Sequence, residues 1–380
     1  MEFQRFVESQ EDKSFESMKS VLESEPYFLR IKEDNVKNEN LYLICHGETT
    51  NMEHSFVREC NGLICEKDTN RIVCYSFDKR PEFEDIDPEI DLNSVYLEES
   101  LEGVLMRVYY YNDKWLVSTK RCIDSNRARW LSSRSFGDMF SELLSEQEME
   151  LRLNKNHCYS FLLCHPENMI ISDHQTPKIY HLLTRDMNTF EEINEDVGIE
   201  KMNRIEIEEG KSWREKVEEM KLLCDLSMEG YMIVDGMNHR QKVVSNKFKR
   251  ARELWGNTND RFLRYLEIRK MGIETIQEYL TYYPKTKNSF IEYETRVMQF
   301  ARYVLQTYLN KHVNRSDGFQ IPKYLCRLTY ELHGDFLKNR VQTDFNKVME
   351  WISNFDAPLL LHLIHQYEDS VKLQMISLCK

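Results

Sequence analysis

The fourteen residues 239–252 (HRQKVVSNKFKRAR) hold six lysines and arginines and no acid. A second basic group gathers Lys120, Arg121, Arg127, Arg129 and Arg134. Cations clustered on an otherwise acidic chain suit a confined, oriented contact with phosphate, although either cluster alone also fits ordinary solvated charge. Cys164-His165 places a thiol beside a base, but neighbouring strand residues face opposite ways, so a core cysteine is the simpler reading. His362 and His365 have the i, i+3 spacing of two ligands on one helix face, yet no third ligand accompanies them and one face is strongly apolar. No Gly-rich phosphate loop is present. The ten cysteines lack a C-x-x-C pair and read as reduced, mostly buried thiols. No metal or cofactor is expected.

These residues need elements to hold them. With 380 residues, 41% hydrophobic and 12% aromatic, the chain has enough apolar material for two cores. A net charge of −13 argues against indiscriminate polyanion binding. The acidity belongs to residues 1–255, with 34 Lys+Arg against 50 Asp+Glu, whereas 256–380 hold 17 against 14. The first residues show no basic segment followed by an apolar run, and no stretch of 18 apolar residues follows, so a soluble, cytoplasmic protein with no membrane partner is expected.

Short strand-like runs dominate up to about Trp255: Leu41-Tyr42-Leu43-Ile44-Cys45, Gly62-Leu63-Ile64-Cys65, Arg71-Ile72-Val73-Cys74-Tyr75, 104–111, 115–118, 159–164, Met169-Ile170-Ile171 and 231–234. Asn112-Asp113 predicts a hairpin between the fourth and fifth of these. Beyond Trp255, Tyr293, Val297, Phe300, Ala301, Val304, Leu305 and Tyr308 follow one helical face, and Pro284 and Pro322 punctuate such segments. The predicted class is α+β: antiparallel sheets with flanking helices over residues 1–255, then an all-α domain over 256–380, joined near Gly256-Asn257-Thr258-Asn259.

Five segments in order carry a resemblance. They are Glu59-Cys60-Asn61-Gly62, Ser100-Leu101-Glu102-Gly103, Phe161-Leu162-Leu163-Cys164, Glu229-Gly230-Tyr231-Met232-Ile233-Val234 and Lys242-Val243-Val244-Ser245. Residues 40–250 resemble the adenylyltransferase domain of RNA ligases of the bacteriophage T4 ligase 1 type, within the RNA ligase and mRNA capping enzyme superfamily. That resemblance implies a nucleotidyltransferase fold in which a Lys-x-Asp-Gly lysine attacks ATP and carries AMP on its amine. Here Ser100 stands at the lysine's place, Asn61 at that of a phosphate-side arginine, Leu162 at that of a glutamate, and Val244 at that of the second lysine of Lys-x-Lys-Ser. Glu229 and Lys242 keep their places, and Lys120 falls where the family has another phosphate-proximal lysine. The helical extension resembles those of related ligases from large DNA viruses, which implies a virus-infected host cytoplasm as the setting.

The missing amine, two cations and acid are groups that would organise a polyphosphate and its developing charge. The expectation is therefore a pseudoenzyme, with no catalytic residue, that binds an RNA 5′ end or cap through the former nucleotide cleft. Lys120, Glu229 and Lys242 would line that cleft, Lys247, Lys249, Arg250 and Arg252 would meet phosphates, and Tyr109, Tyr111 or Trp115 would stack on a base. One alternative is a scaffold or regulatory subunit of an mRNA processing or translation initiation complex, docking a protein partner through its helical domain. Another is an active ATP-dependent ligase using Lys114 or Lys120.

Overall fold

The computed structural model describes the chain except residues 35, 80–85, 169, 173, 206–209, 224 and 379–380. It divides into two compact units, Met1–Arg250 and Ala251–Lys380. The sequence placed the change of texture at 255/256; the units part five residues earlier, within one helix.

The first unit opens with α1 (Glu2–Ser9) and α2 (Phe15–Glu23). A four-stranded sheet follows, ordered β1 (Leu29–Glu33), β2 (Leu41–His46), β3 (Leu63–Glu66) and β4 (Ile72–Cys74), with α3 (Ser55–Glu59) before β3. Next come β5 (Tyr96–Ser100), β6 (Val104–Tyr111), β7 (Lys114–Thr119), β8 (His157–Cys164), β9 (Lys178–Asp186), β10 (Glu192–Ile193), β11 (Arg204–Ile205), β12 (Gly230–Val234) and β13 (Arg240–Val244). They form a five-stranded sheet, order β10-β9-β8-β6-β7, and a four-stranded one, order β11-β5-β12-β13. The paired strands in all three sheets run antiparallel. The helices α4 (Phe136–Ser141), α5 (Glu146–Arg152) and α6 (Trp213–Lys221) flank them.

Every residue of β2 is buried because both faces of its sheet are covered. Leu41, Leu43 and Cys45 join Tyr109, Tyr111 and Cys158 in a core between the first two sheets. Tyr42 and Ile44 face the other way, onto Phe3, Val7, Met18 and Leu22 of α1 and α2. Each such side chain removed from water stabilises the unit by roughly 1.5–3 kcal/mol. The outer face of the second sheet packs Met106, Val108 and Phe161 against Met139 and Phe140 of α4. The third sheet packs Leu97, Ile233 and Val243 on Val217 and Met220 of α6.

The β6–β7 hairpin forms at Asn112-Asp113, both with positive φ (48° and 59°), the backbone that a two-residue turn matched to strand twist requires. The expected strand at 169–171 does not form: 170–172 are bends, and Met169 lies outside the described residues, as do Cys224 and Cys379.

The helix α7 (Asn246–Trp255) carries the chain into the second unit. There α8 (Arg261–Met271) is capped by Asp260, whose carboxylate accepts the Leu263 N–H at 2.9 Å. α9 (Ile273–Tyr282), α10 (Lys287–Tyr308), α11 (Cys326–Asn339), α12 (Phe345–Ser353) and α13 (Ala357–Leu378) complete it. Along α10, Val297, Phe300, Ala301, Val304 and Tyr308 are buried, as their 3.6-residue rhythm requires. Among the described residues, no helix is long and apolar enough to cross a membrane.

Candidate functional site

Three residues far apart in sequence meet on adjacent strands of the third sheet. Ser100 ends β5 and pairs with Gly230 of β12; the Glu229 N–H donates to the Ser100 carbonyl at 2.7 Å. On the other side β12 pairs with β13, setting Met232 opposite Lys242, and the Ser245 N–H donates to the Glu229 carbonyl at 3.0 Å. Glycine is required after Glu229: Gly230 has φ +156°, and a Cβ there would stand 2.0 Å from the Val243 carbonyl oxygen. Glu229 is buried, and its carboxylate is ion-paired with the half-exposed Lys242 ammonium. Charge-assisted pairing is what allows a carboxylate to stay inside.

Lys120, just past β7, adds a second cation. Gly62, with φ +87°, presses against it, since a Cβ at Gly62 would lie 2.8 Å from the Lys120 carbonyl oxygen. Arg107 of β6 is wholly buried and locks this junction, its guanidinium donating to the carbonyls of Gly62 and, at 2.6 Å, Thr119. Burial, followed by the charges of Arg107, Lys79, Arg121 and Lys242, pushes the Lys120 pKa down to about 8. The side chain is nonetheless open to water. Because the side chain meets water, solvent screens the burial, and the charges of Arg107, Lys79, Arg121 and Lys242 remain as a cause of the shift. Burial, with the charges of Lys79 and Lys120 assisting, also holds the His46 pKa below its usual range. Its Nε2 lies 2.7 Å from the Val57 carbonyl oxygen. Cations held against one another in this way are relieved by an anion.

The positions that the sequence reading matched to ligase motifs make structural contacts. Ser100 is buried, and among the described residues no basic side chain hydrogen-bonds its hydroxyl. The Glu102 carboxylate accepts the N–H groups of Ile170, Ile171 and Ser172 at 3.3, 2.9 and 2.8 Å. Leu162 lies on Gly103, where an added Cβ would come within 2.8 Å of it. The Asn61 side chain donates to the Phe77 carbonyl at 3.0 Å. Among the described residues no group of three or more His, Cys, Asp or Glu side chains could hold a metal ion.

The aromatic expectations need correction. Tyr109 and Tyr111 are buried between the first two sheets, and Trp115 is buried against Tyr159 with its indole N–H on Glu150 at 2.9 Å. Tyr109 and Tyr111 present no face on which a base could stack, whereas part of Trp115 lines a surface pocket with Lys114 and Glu146. Lys247, Lys249, Arg250 and Arg252 are exposed on α7, which starts directly after Ser245. The sequence reading missed Lys79, Arg107 and His46. The signal available was Arg107 itself, a charge inside the apolar run Val104-Leu105-Met106-Arg107-Val108.

No protein-family model matches the chain. It is similar to the immediate-early protein ICP-46 homolog of Invertebrate iridescent virus 6, at 23% identity over 72% of this chain and 68% of that protein. It is also similar to the homolog of Invertebrate iridescent virus 3, at 27% identity over 37% of this chain; the match spans about a third, 35%, of that relative. Among solved structures, an archaeal ATP-dependent RNA ligase is 14% identical over 77% of this chain and 74% of its own, with a TM-score of 0.43. A Naegleria gruberi RNA ligase variant with ATP and Mn is 12% identical over 42% of this chain and about half, 52%, of its own, with a TM-score of 0.35. Likenesses this loose add no argument about individual residues.

Proposed function

We propose that this protein is a catalytically silent relative of the RNA ligases that binds RNA, at a 5′ end or cap, in the hollow around Lys120, Glu229 and Lys242. The observation that carries the reading is the exposed Lys120 seated beside the buried Arg107, whose guanidinium holds the carbonyls of Gly62 and Thr119, with Lys79, Arg121 and Lys242 near enough to act on its charge, in a chain of net charge −13. Like charges assembled at a local cost to stability fit a ready-made phosphate site. Silence follows from Ser100, which has no activating base, and from Leu162 in place of a carboxylate. The test is anisotropy with a 5′-phosphorylated RNA. Lys120→Ala and Lys79→Ala should each weaken binding by about tenfold and flatten its dependence on salt; unchanged affinity in both would sink the proposal.

One observation favours a second reading. With its pKa at about 8, Lys120 is neutral in about one molecule in ten at pH 7 and is a usable nucleophile. Labelled ATP or GTP with magnesium, followed by denaturing electrophoresis, separates the two: a covalent nucleotide on Lys120 would replace silence with activity.

A further inference from the structure

We propose that the RNA strand leaves the hollow along a second line of cations, Arg121, Lys32 and Arg30, so that the protein grips several consecutive phosphates of a single strand and not an end alone. This rests on the RNA-binding reading above. Arg121 directly follows Lys120, and the Lys32 ammonium donates to the Arg121 carbonyl at 3.0 Å. Arg30 and Lys32 are alternate residues of the edge strand β1, opposite Cys45 and Leu43 in the register, so they share one face. That face carries core further in, but at β1 both side chains are exposed. Two residues of strand separate them by about 7 Å, of the order of one step along an extended nucleotide backbone. Arg30 also lies across Gly47, next to His46, closely enough that a Cβ there would stand 2.7 Å from its Nε. Cys45, opposite Arg30 on that face, feels Lys32, Arg121, Arg30 and Arg107 alike. With the contact of Lys32 on Arg121, the cations form one arc.

Pairing sets the arc apart from its surroundings. Nearby Lys19 and Lys67 both bind Glu33 at 2.7 Å, Lys37 lies 3.4 Å from Asp124, and Arg127 lies 3.0 Å from Asp34. Among the described residues, Arg30, Lys32, Lys79, Lys120 and Arg121 have no carboxylate within ion-pair distance. Glu33, the acid next to Lys32, points to the other face of the strand. A row of cations without carboxylate partners, leading away from a phosphate site, matches a polyanionic strand, whose contacts release counterions one phosphate at a time.

The experiment compares 5′-phosphorylated RNAs of about 3 and about 20 nucleotides, by anisotropy between about 50 and about 200 mM salt. The exposed double variant Arg30→Gln, Lys32→Gln should bind the long RNA roughly fivefold more weakly or worse. Its slope of log affinity against log salt should be shallower by about 1.4, and its affinity for the short RNA should change less than twofold. Lys32→Gln alone should show a smaller loss of the same kind, which guards against a folding defect in the double variant. An unchanged long-RNA affinity, or equal loss for both lengths, overturns the path while leaving end-binding intact. A length-dependent loss confined to Lys247→Gln and Lys249→Gln overturns it in favour of α7. If the unmodified protein binds neither RNA, the RNA reading itself fails and the path fails with it.

Discussion

Replacing Lys120 by methionine should make the unliganded protein more stable, because it removes a cation that four others repel. The folded pKa of about 8 stands below the ordinary 10.5, so between those values the unfolded chain holds a proton that the folded protein has released. Stability of the unmodified protein therefore rises with pH across that window, and the penalty is fully present below about pH 8. Taken whole, the shift amounts to about 3 kcal/mol. The side chain is exposed, so screening reduces this to about 1 kcal/mol. A change of that size raises Tm by roughly 2–4 °C for a unit of this length. Urea denaturation of both proteins at neutral pH and again near pH 10 measures it. The variant should lead at neutral pH, and the lead should close as the pH climbs. The same variant should lose affinity for inorganic pyrophosphate, the simplest anion for the hollow. A variant less stable at neutral pH, or a difference that ignores pH, would refute the picture of mutually strained cations.

Gly230→Ala should cost roughly 3 kcal/mol or more in urea denaturation, since it combines a forbidden backbone conformation with a collision at the Val243 carbonyl; a loss below about 1 kcal/mol would show that β12 and β13 part easily. Ser100→Lys alone should give no covalent nucleotide with labelled ATP, because the position is buried and Leu162 stands where an acid is needed; a labelled band would disprove this. His46 has its pKa lowered chiefly by burial, so the folded state resists its protonation and stability should fall as pH drops through about 6.5. His46→Gln should flatten that fall between about pH 6.5 and pH 5 in thermal unfolding, and an unaltered profile would assign it to other groups.

The hairpin at 104–119 was legible because its alternation and its turn residues agree, and α10 because its apolar rhythm persists over several turns. β5 and β13 were not. Glu98, Glu99 and Ser100 look like loop, and Arg240-Gln241-Lys242 looks like solvated charge; both become strands because partners on either side of β5 and at the edge of β12 complete their hydrogen bonds. Tyr109 and Tyr111 misled for a related reason. Alternation says that two residues share a face, not whether a second sheet covers it. Glu229 and Lys242 were visible as motif residues. The gathering of cations was not, because the segments bearing Lys79, Arg107, Lys120 and Lys242 come together only through the fold, and no local spacing records that meeting.

The Glu102 carboxylate joins three separate segments of the first unit. It sits in the link between β5 and β6, holds the amides of 170–172 beyond β8, and the Ser172 hydroxyl continues the tie to the Leu226 carbonyl at 3.0 Å, just ahead of β12. The second and third sheets are thus tied by hydrogen bonds where the chain passes from one to the other. A ligand arriving there meets a receptor that is already shaped. Recognition should then involve little ordering on the protein's side, be quick, and owe its selectivity to the placement of charge and not to closure around the guest.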